Sequence, residues 1–379
     1  MRGPSSVMNS NQRLPLSLTP LDLAFTALLR RREPLKVIEL PLTEALGCVA
    51  AELPPLKAYP PYNVAVADGW ALCARDLVGA SSYTPLVVTS PPTWVEAGDR
   101  IPEDCDCVLD GGAIDQAGPI IQVLAEAIPG QGVRRIGGDI GDGFAVAPGS
   151  RLRPLDLLVA QVGGLEKIKV RRPRLRIVNI PATSGEVATA RLIQEDARAA
   201  GAEVVFAEAA SRDMASIARA LDSSACDLLI TIGGSGAGRT DATIAALAQH
   251  GEVFAHGIAL QPGRTSAIGR FDNTPVVALP GSADQALGAW WALALPTLDW
   301  LSERQPRRRE ALPLARKIAS SVGIAEIALL TRKDDTWVPL AVGDLSVEAL
   351  VGADGWLIIP GSSEGFAAGT QVAAYMLRE

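Results

Sequence analysis

Cys226-Asp227-Leu228-Leu229-Ile230-Thr231-Ile232-Gly233-Gly234-Ser235-Gly236-Ala237-Gly238-Arg239-Thr240-Asp241 is the stretch whose reading decides the fold. Its first half is a short apolar run, long enough for one buried strand. Four glycines within six residues, Gly233 to Gly238, then exclude any regular element. Beyond Asp241, Ile244, Leu247 and Ala248 have helical spacing. Strand, glycine loop and helix therefore follow in that order. Such a loop brings backbone N–H groups close to an anion, and the helix N-terminus adds its positive end. A carboxylate closing the loop repels a phosphate unless a cation sits between them. The bland alternative is a tight turn in an ordinary α/β sheet. The stretch is neither a G-x-G-x-x-G dinucleotide fingerprint nor a G-x-x-x-x-G-K-[ST] loop.

The flanking sequence has the same texture. Leu175 to Ile180, Glu203 to Phe206, Val253 to Phe254 and Thr274 to Leu279 read as strands. Ala188 to Ala200, closed by Gly201, Met214 to Leu221 and Asp284 to Leu295 read as helices. This alternation predicts an open, mostly parallel sheet covered on both faces. Three of its strands run into small-residue turns, which carry Thr183 with Glu186, Gly233 to Asp241, and Pro280-Gly281-Ser282. Ligands of open α/β sheets bind beyond the carboxyl ends of the strands, so convergence of these turns marks a site.

Upstream, Thr19-Pro20-Leu21-Asp22 opens a helix. A proline-rich run leads to Asp68-Gly69, which reads as a hairpin turn between apolar runs. Short β segments punctuated by Gly and Pro fill 85–146. Arg134-Arg135-Ile136-Gly137-Gly138-Asp139 is a charged loop, read as a solvated turn or an anion contact. Arg151 to Gly164 is helical and is expected to return onto the N-terminal helix. Downstream, Arg307-Arg308-Arg309 sits in a charged linker, and 318–379 reads as short strands. The expected division is a discontinuous N-terminal domain (1–45 and 147–173), a small β-rich domain (46–146), a doubly wound α/β domain (174–304) and a C-terminal β-barrel-like domain (305–379).

Composition excludes several classes. With 379 residues and 48% apolar content the chain holds several packed cores. A net charge of −7 argues against a nucleic-acid binder. No run of eighteen apolar residues reads as a membrane span. Met1 to Thr19 lacks the apolar core of a secretory signal and reads as a frayed tail. Five cysteines, an odd number, fit a reducing, cytoplasmic setting rather than a disulfide framework. Cys105-x-Cys107 is a close pair, but with only two histidines a four-ligand zinc site is disfavoured. The same scarcity lowers the odds of a Ser-His-Asp or Cys-His mechanism.

In motif order the chain resembles the MoeA/gephyrin E-domain family of molybdopterin molybdenumtransferases, from about Leu21 to the C-terminus. Asp68-Gly69-Trp70-Ala71 matches the family's Asp-Gly-aromatic-Ala turn, and Arg135-Ile136-Gly137-Gly138-Asp139 resembles its Arg-x-x-Gly-x-Asp loop. Thr183-Ser184-Gly185-Glu186 stands for Thr-Gly-Asp-Glu, and Gly233 to Asp241 for the Gly-Gly-Val-Ser-x-Gly-x-x-Asp loop. Pro262-Gly263-Arg264 and Leu279-Pro280-Gly281-Ser282 stand for Pro-Gly-Lys and Leu-Pro-Gly-Asn. The resemblance implies an α/β multidomain protein whose doubly wound domain is MogA/MoaB-like, with small β domains and an elongated, discontinuous N-terminal domain. It implies a homodimer, Mg²⁺ dependence, and insertion of molybdate into adenylylated molybdopterin with release of AMP. Asp68, Glu186 and Asp241 take the catalytic positions, with Glu186 and Asp241 holding the metal. Thr183, Gly233, Gly234, Ser235, Gly238, Arg264, Pro280, Gly281, Ser282, Asp139 and Asp213 take substrate-binding ones. Asp68 is expected to act across the dimer.

The departures carry a second reading. Two family lysines fall at Gly257 and Gln261, and a third is Arg264, whose guanidinium is not an ammonium point charge. Val-Ser of the glycine loop is Ser235-Gly236, and Asn-Pro is Ser282-Ala283. Acids are kept while cations are lost. The alternative is thus a non-catalytic module that holds molybdopterin or the finished cofactor for delivery to a molybdoenzyme acceptor. A scaffold that uses the fold for protein contacts alone is the third class.

Overall fold

The computed structural model describes residues 17–117, 120–181, 187–224 and 226–377. At its centre lies a six-stranded sheet in the order Glu203–Glu208, Arg174–Asn179, Leu228–Ile232, Thr274–Leu279, Ala267–Phe271, Gly251–His256. The first four strands are parallel; the last two run antiparallel to their neighbours. Every residue of Leu228–Ile232 is buried, as a central strand covered on both faces requires. One face is covered by the helix Ala188–Ala199, whose Ala190, Ile193 and Ala197 pack with Leu175, Ile177 and Trp290. The other is covered by Met214–Ala220 and Thr243–His250, through Ile217, Ile244 and Leu247 against Val178, Leu229 and Val276.

The path of the chain sets the position of the site. From Arg174–Asn179 it crosses to Glu203–Glu208 on one side, then returns to Leu228–Ile232 on the other. The connections diverge between Arg174–Asn179 and Leu228–Ile232, which opens a crevice beyond Asn179 and Ile232.

The remaining sheets hold the peripheral segments. Ile38–Pro41, Lys167–Arg171 and Val49–Glu52 form one three-stranded sheet, joining chain from both sides of the 53–166 excursion. The helix Pro154–Val162 lies on this sheet, with Leu157 against Ala45, Ala50 and Ile168. It does not return onto the N-terminal helix. That helix, Leu21–Leu29, instead puts Ala24 and Leu28 into the core of the α/β domain, because the adjoining Thr19–Pro20 pairs with Ile258–Gln261.

The Asp68-Gly69 turn is not a hairpin. Val64–Ala65 pairs with Val133–Arg134, whereas Gly69–Leu72 pairs with Thr93–Val95 and Cys107–Leu109. Gly69 is required by close approach: a Cβ there would stand 2.2 Å from the Leu109 carbonyl oxygen.

The C-terminal strands are continuous with the central domain through Ile258–Gln261. This strand runs parallel to Ala325–Lys333, within a sheet that also contains Gly355–Ile359, Gln371–Met376 and Arg309–Pro313. Trp356 stacks between Trp291 and Tyr375, fastening this sheet to the helical layer. Among the described residues no helix is long and apolar enough to cross a membrane.

Candidate functional site

The crevice contains a cavity of about 280 Å³ lined by the ends of Arg174–Asn179 and Leu228–Ile232, the glycine loop, and Pro280-Gly281-Ser282. The glycines are dictated by what folds back on them. Gly233 and Gly234 have φ of +95° and +67°. A Cβ on Gly234 would meet the Thr243 hydroxyl at 2.4 Å, and one on Gly236 would meet Asp241 Oδ2 at 2.7 Å. The loop is bare so that the first turn of Thr243–His250 and the Asp241 carboxylate can pack against it. Thr243 Oγ1 donates to the Gly233 carbonyl at 2.9 Å, and Gly238 N–H donates to Asp241 Oδ2 at 2.9 Å.

The carboxylate has a partner that the sequence reading missed. Arg212 Nη2 donates to Asp241 Oδ1 at 2.5 Å, with the two side chains 24% and 14% exposed. Arg212 also donates to the Pro181 carbonyl at 2.9 Å and to Thr240 Oγ1 at 3.2 Å, which fixes the plane of its fork. His256, also missed, brings Nε2 to 2.8 Å from the Ser235 carbonyl oxygen.

Two buried polar groups of the lining have no partner among the described residues: Asn179 Nδ2 and Ser235 Oγ. An orphaned buried donor is costly unless something occupies the space beside it. A cavity with two such groups beside an ion-paired guanidinium suits a polar ligand.

The structure brings Gly233, Gly234, Ser235, Asp241, Pro280, Gly281 and Ser282 together around this cavity. Gly238 contacts it through Asp241. Arg264 is exposed, next to the lining residue Thr265. Asp213 caps the helix Met214–Ala220, accepting from the Ser211 hydroxyl and from Ser216 N–H at 2.9 Å. Those hydrogen bonds, the Ser211 one first, hold its carboxyl below the usual carboxylate range. Asp139 closes its own loop by an ion pair with Arg134 at 2.8 Å. Asp68 accepts from Ala97 N–H at 2.8 Å, and neither Asp68 nor Asp139 lines the cavity. Thr183 and Glu186 lie outside the described residues.

The resemblance implies a divalent ion held by Asp241 with Glu186. Both oxygens of Asp241 are engaged, by Arg212 and by Gly238 N–H. Among the described residues no three His, Cys, Asp or Glu side chains stand together as a metal site. Each Asp241 oxygen keeps a further lone pair, and Glu186, the second acid that the resemblance assigns to the metal, lies outside the described residues, so Asp241 is the described carboxylate that would hold such an ion.

Around the lost lysines, Gly257 has φ +87°, a conformation that a lysine adopts only with strain. Gln261 lies in register with Glu326 of the neighbouring strand, so an acid rather than a cation adjoins it.

Fold and site define a multidomain α/β protein whose doubly wound domain presents a glycine-loop cleft at its switch point. Comparison with known proteins makes this specific. Residues 19–163 match the "MoeA N-terminal region (domain I and II)" and residues 182–300 the "Probable molybdopterin binding domain". A molybdopterin biosynthesis protein of Methanocaldococcus jannaschii is 25% identical over 378 residues, spanning 90% of this chain and 93% of the relative. Molybdopterin molybdenumtransferase 2 of Mycobacterium tuberculosis is 28% identical over 302 residues, 69% of this chain and 74% of the relative. The fold is that of a MoeA crystal structure from Pyrococcus horikoshii, with a TM-score of 0.66 at 24% identity over 96% of this chain and 100% of that one. The chain belongs to the MoeA family, and through it to molybdenum cofactor biosynthesis.

Proposed function

We propose that this protein is a molybdopterin molybdenumtransferase, which inserts molybdate into the dithiolene of adenylylated molybdopterin with release of AMP. The observation that carries this reading is the cavity at the switch point. There the Asn179 and Ser235 groups, without partners among the described residues, and the Arg212 fork line the cavity, which supports the reading of a phosphorylated ligand. Cleaving a phosphoanhydride needs charge neutralised on its oxygens, and fixed donors in a partly enclosed cleft provide that. The resemblance adds Mg²⁺ as the expected counter-ion. Asp241 is the described residue that would hold it, where it would neutralise charge on the phosphate oxygens.

In this proposal the enzyme is a homodimer whose partner supplies Asp68; what supports this is that Asp68 stands away from the cavity within one protomer. The test is direct. Purified protein with adenylylated molybdopterin and molybdate releases AMP, and Asp241→Ala abolishes release. Mixed dimers of Asp68→Ala and Asp241→Ala recover part of the activity. Ligand binding without AMP release from the unaltered protein would reject the enzyme.

That outcome would favour the second reading, a module that holds molybdopterin or the finished cofactor for an acceptor molybdoenzyme. One observation supports it: Gln261, where the family has a lysine, adjoins Glu326 rather than a cation, and Gly257 replaces another lysine.

A further inference from the structure

The charged linker that carries Arg307-Arg308-Arg309 does not stand clear of the protein. Arg309 lies over the Tyr375 ring at 5.1 Å. Arg307 and Arg308 instead share a cavity of about 430 Å³ with chain from 144–156. Five of its described lining residues are arginines: Arg151 and Arg153 on one wall, Arg304, Arg307 and Arg308 on the other. The walls are pinned by backbone. Gln305 N–H donates to the Gly149 carbonyl at 2.8 Å, and the Gln305 side chain donates to the Pro148 carbonyl at 2.9 Å.

Acids orient these arginines without matching them. Asp156 accepts from Arg153 Nε and Nη2 at 3.1 and 3.0 Å. Asp299 accepts from Arg307 Nε and Nη2 at 2.6 and 2.8 Å, and also stands 3.9 Å from Arg304. Each of these two forks leaves its Nη1 group outside the pair. Asp196 is the third acid; burial pushes its carboxyl up, against the pull of the Arg307 charge. Among the described residues three acids thus answer five guanidiniums, none of which can shed its proton. Arg151 Nε is buried and has no partner among the described residues. Like charges gathered in one concavity repel, and an anion seated among them removes that cost. A planar guanidinium matches two phosphate oxygens at once, so several forks in one cavity suit a ligand with more than one phosphate.

We propose that the cavity between 144–156 and 304–308 is a second binding site, for a small ligand of the pyrophosphate class. It shares no lining residue with the glycine-loop cleft and does not depend on the function proposed above.

The experiment is calorimetric titration of the full-length protein with inorganic pyrophosphate in metal-free buffer, with citrate as the carboxylate counterpart. Arginine-selective labelling by p-hydroxyphenylglyoxal, mapped by mass spectrometry, locates the site. Pyrophosphate binds saturably and protects the exposed Arg153 and Arg308 from labelling. Arg308→Ala weakens it by about tenfold, the worth of a charge-assisted hydrogen bond, and Arg308→Lys is intermediate. Arg75→Ala, at an exposed arginine outside the cavity, leaves binding unchanged. No saturable binding overturns the inference. So does protection confined to Arg212, which would place pyrophosphate in the glycine-loop cleft and leave the function proposed above untouched. Citrate binding as tightly as pyrophosphate overturns the phosphate class. The labelling uses the unaltered protein, so it stands even if a variant fails to fold.

Discussion

Gly234 and Thr243 are built as a pair: the place where a Cβ would sit on Gly234 is 2.4 Å from the Thr243 hydroxyl. Thr243 is fully buried and spends that hydroxyl on the Gly233 carbonyl at 2.9 Å. Gly234→Ala therefore adds a clash to a left-handed backbone, and about 1–3 kcal/mol of stability is expected to go. Thr243→Ala alone loses a buried hydrogen bond worth about 1 kcal/mol. The double variant removes the clash and is less destabilised than the sum of the singles. Urea unfolding of all four proteins checks this; strict additivity would mean that the two residues do not meet.

Asn179 closes an apolar strand with a polar side chain whose Nδ2 is buried and has no partner among the described residues. A group kept for folding would cost stability when removed; a group kept for a ligand costs affinity. Asn179→Ala is expected to leave the urea midpoint nearly unchanged. It should weaken a phosphorylated ligand by about tenfold, the equivalent of one hydrogen bond. A large loss of stability with unchanged binding would assign Asn179 to the core instead.

These two cases show what the sequence makes legible. The strand Leu228–Ile232 and its glycine loop are readable because a central strand must be apolar on both faces and the loop must be bare. Asn179 was visible in principle, as the polar end of an apolar run. Arg212 was not: it stands 29 residues from Asp241 in a polar stretch, beside the more conspicuous Asp213, which caps a helix. Ile258–Gln261 was also hidden, because four apolar-to-polar residues do not announce that their partners lie at Thr19–Pro20 and Ala325–Lys333. Local patterns specify elements; pairing across the chain decides which of them share a sheet.

The cysteines give a pH prediction. Burial first, then neighbouring acids, push the Cys107 thiol up to about 12 and the Cys105 thiol up to about 11. A thiol whose folded value is raised above its unfolded one adds stability that is fully present below the unfolded value. That stability is lost as pH rises through the folded value. The protein should therefore lose stability between about pH 9 and pH 12. At pH 8 Cys107, which is buried and donates to the Leu72 carbonyl at 3.2 Å, should resist alkylation in the native state and react after unfolding. Mass-resolved iodoacetamide labelling tests this; rapid native labelling of Cys107 at pH 8 would contradict it.

Trp356 decides whether the C-terminal sheet unfolds by itself. Its ring stacks on Trp291 at 4.9 Å and 12°, and on Tyr375 at 4.6 Å and 24°, and it is only 4% exposed. Trp291 belongs to the helical layer of the α/β domain and Tyr375 to the strand Gln371–Met376. Truncation removes both contacts and opens a cavity, so Trp356→Ala is expected to cost about 3–5 kcal/mol. Because the Ile258–Gln261 strand pairs with Ala325–Lys333, the two regions also share a sheet, and the unaltered protein should lose them in one transition. In Trp356→Ala the C-terminal sheet keeps that short parallel pairing but loses its aromatic fastening. It should then melt at lower denaturant than the α/β core, splitting the curve in two. Trp356→Phe keeps an aromatic face and should retain a single transition at a slightly lower midpoint. Tryptophan fluorescence and far-ultraviolet circular dichroism, recorded on the same urea series, would diverge for Trp356→Ala and coincide for Trp356→Phe. Coincident curves in both variants would mean that the paired strands, rather than the ring stack, couple the two regions.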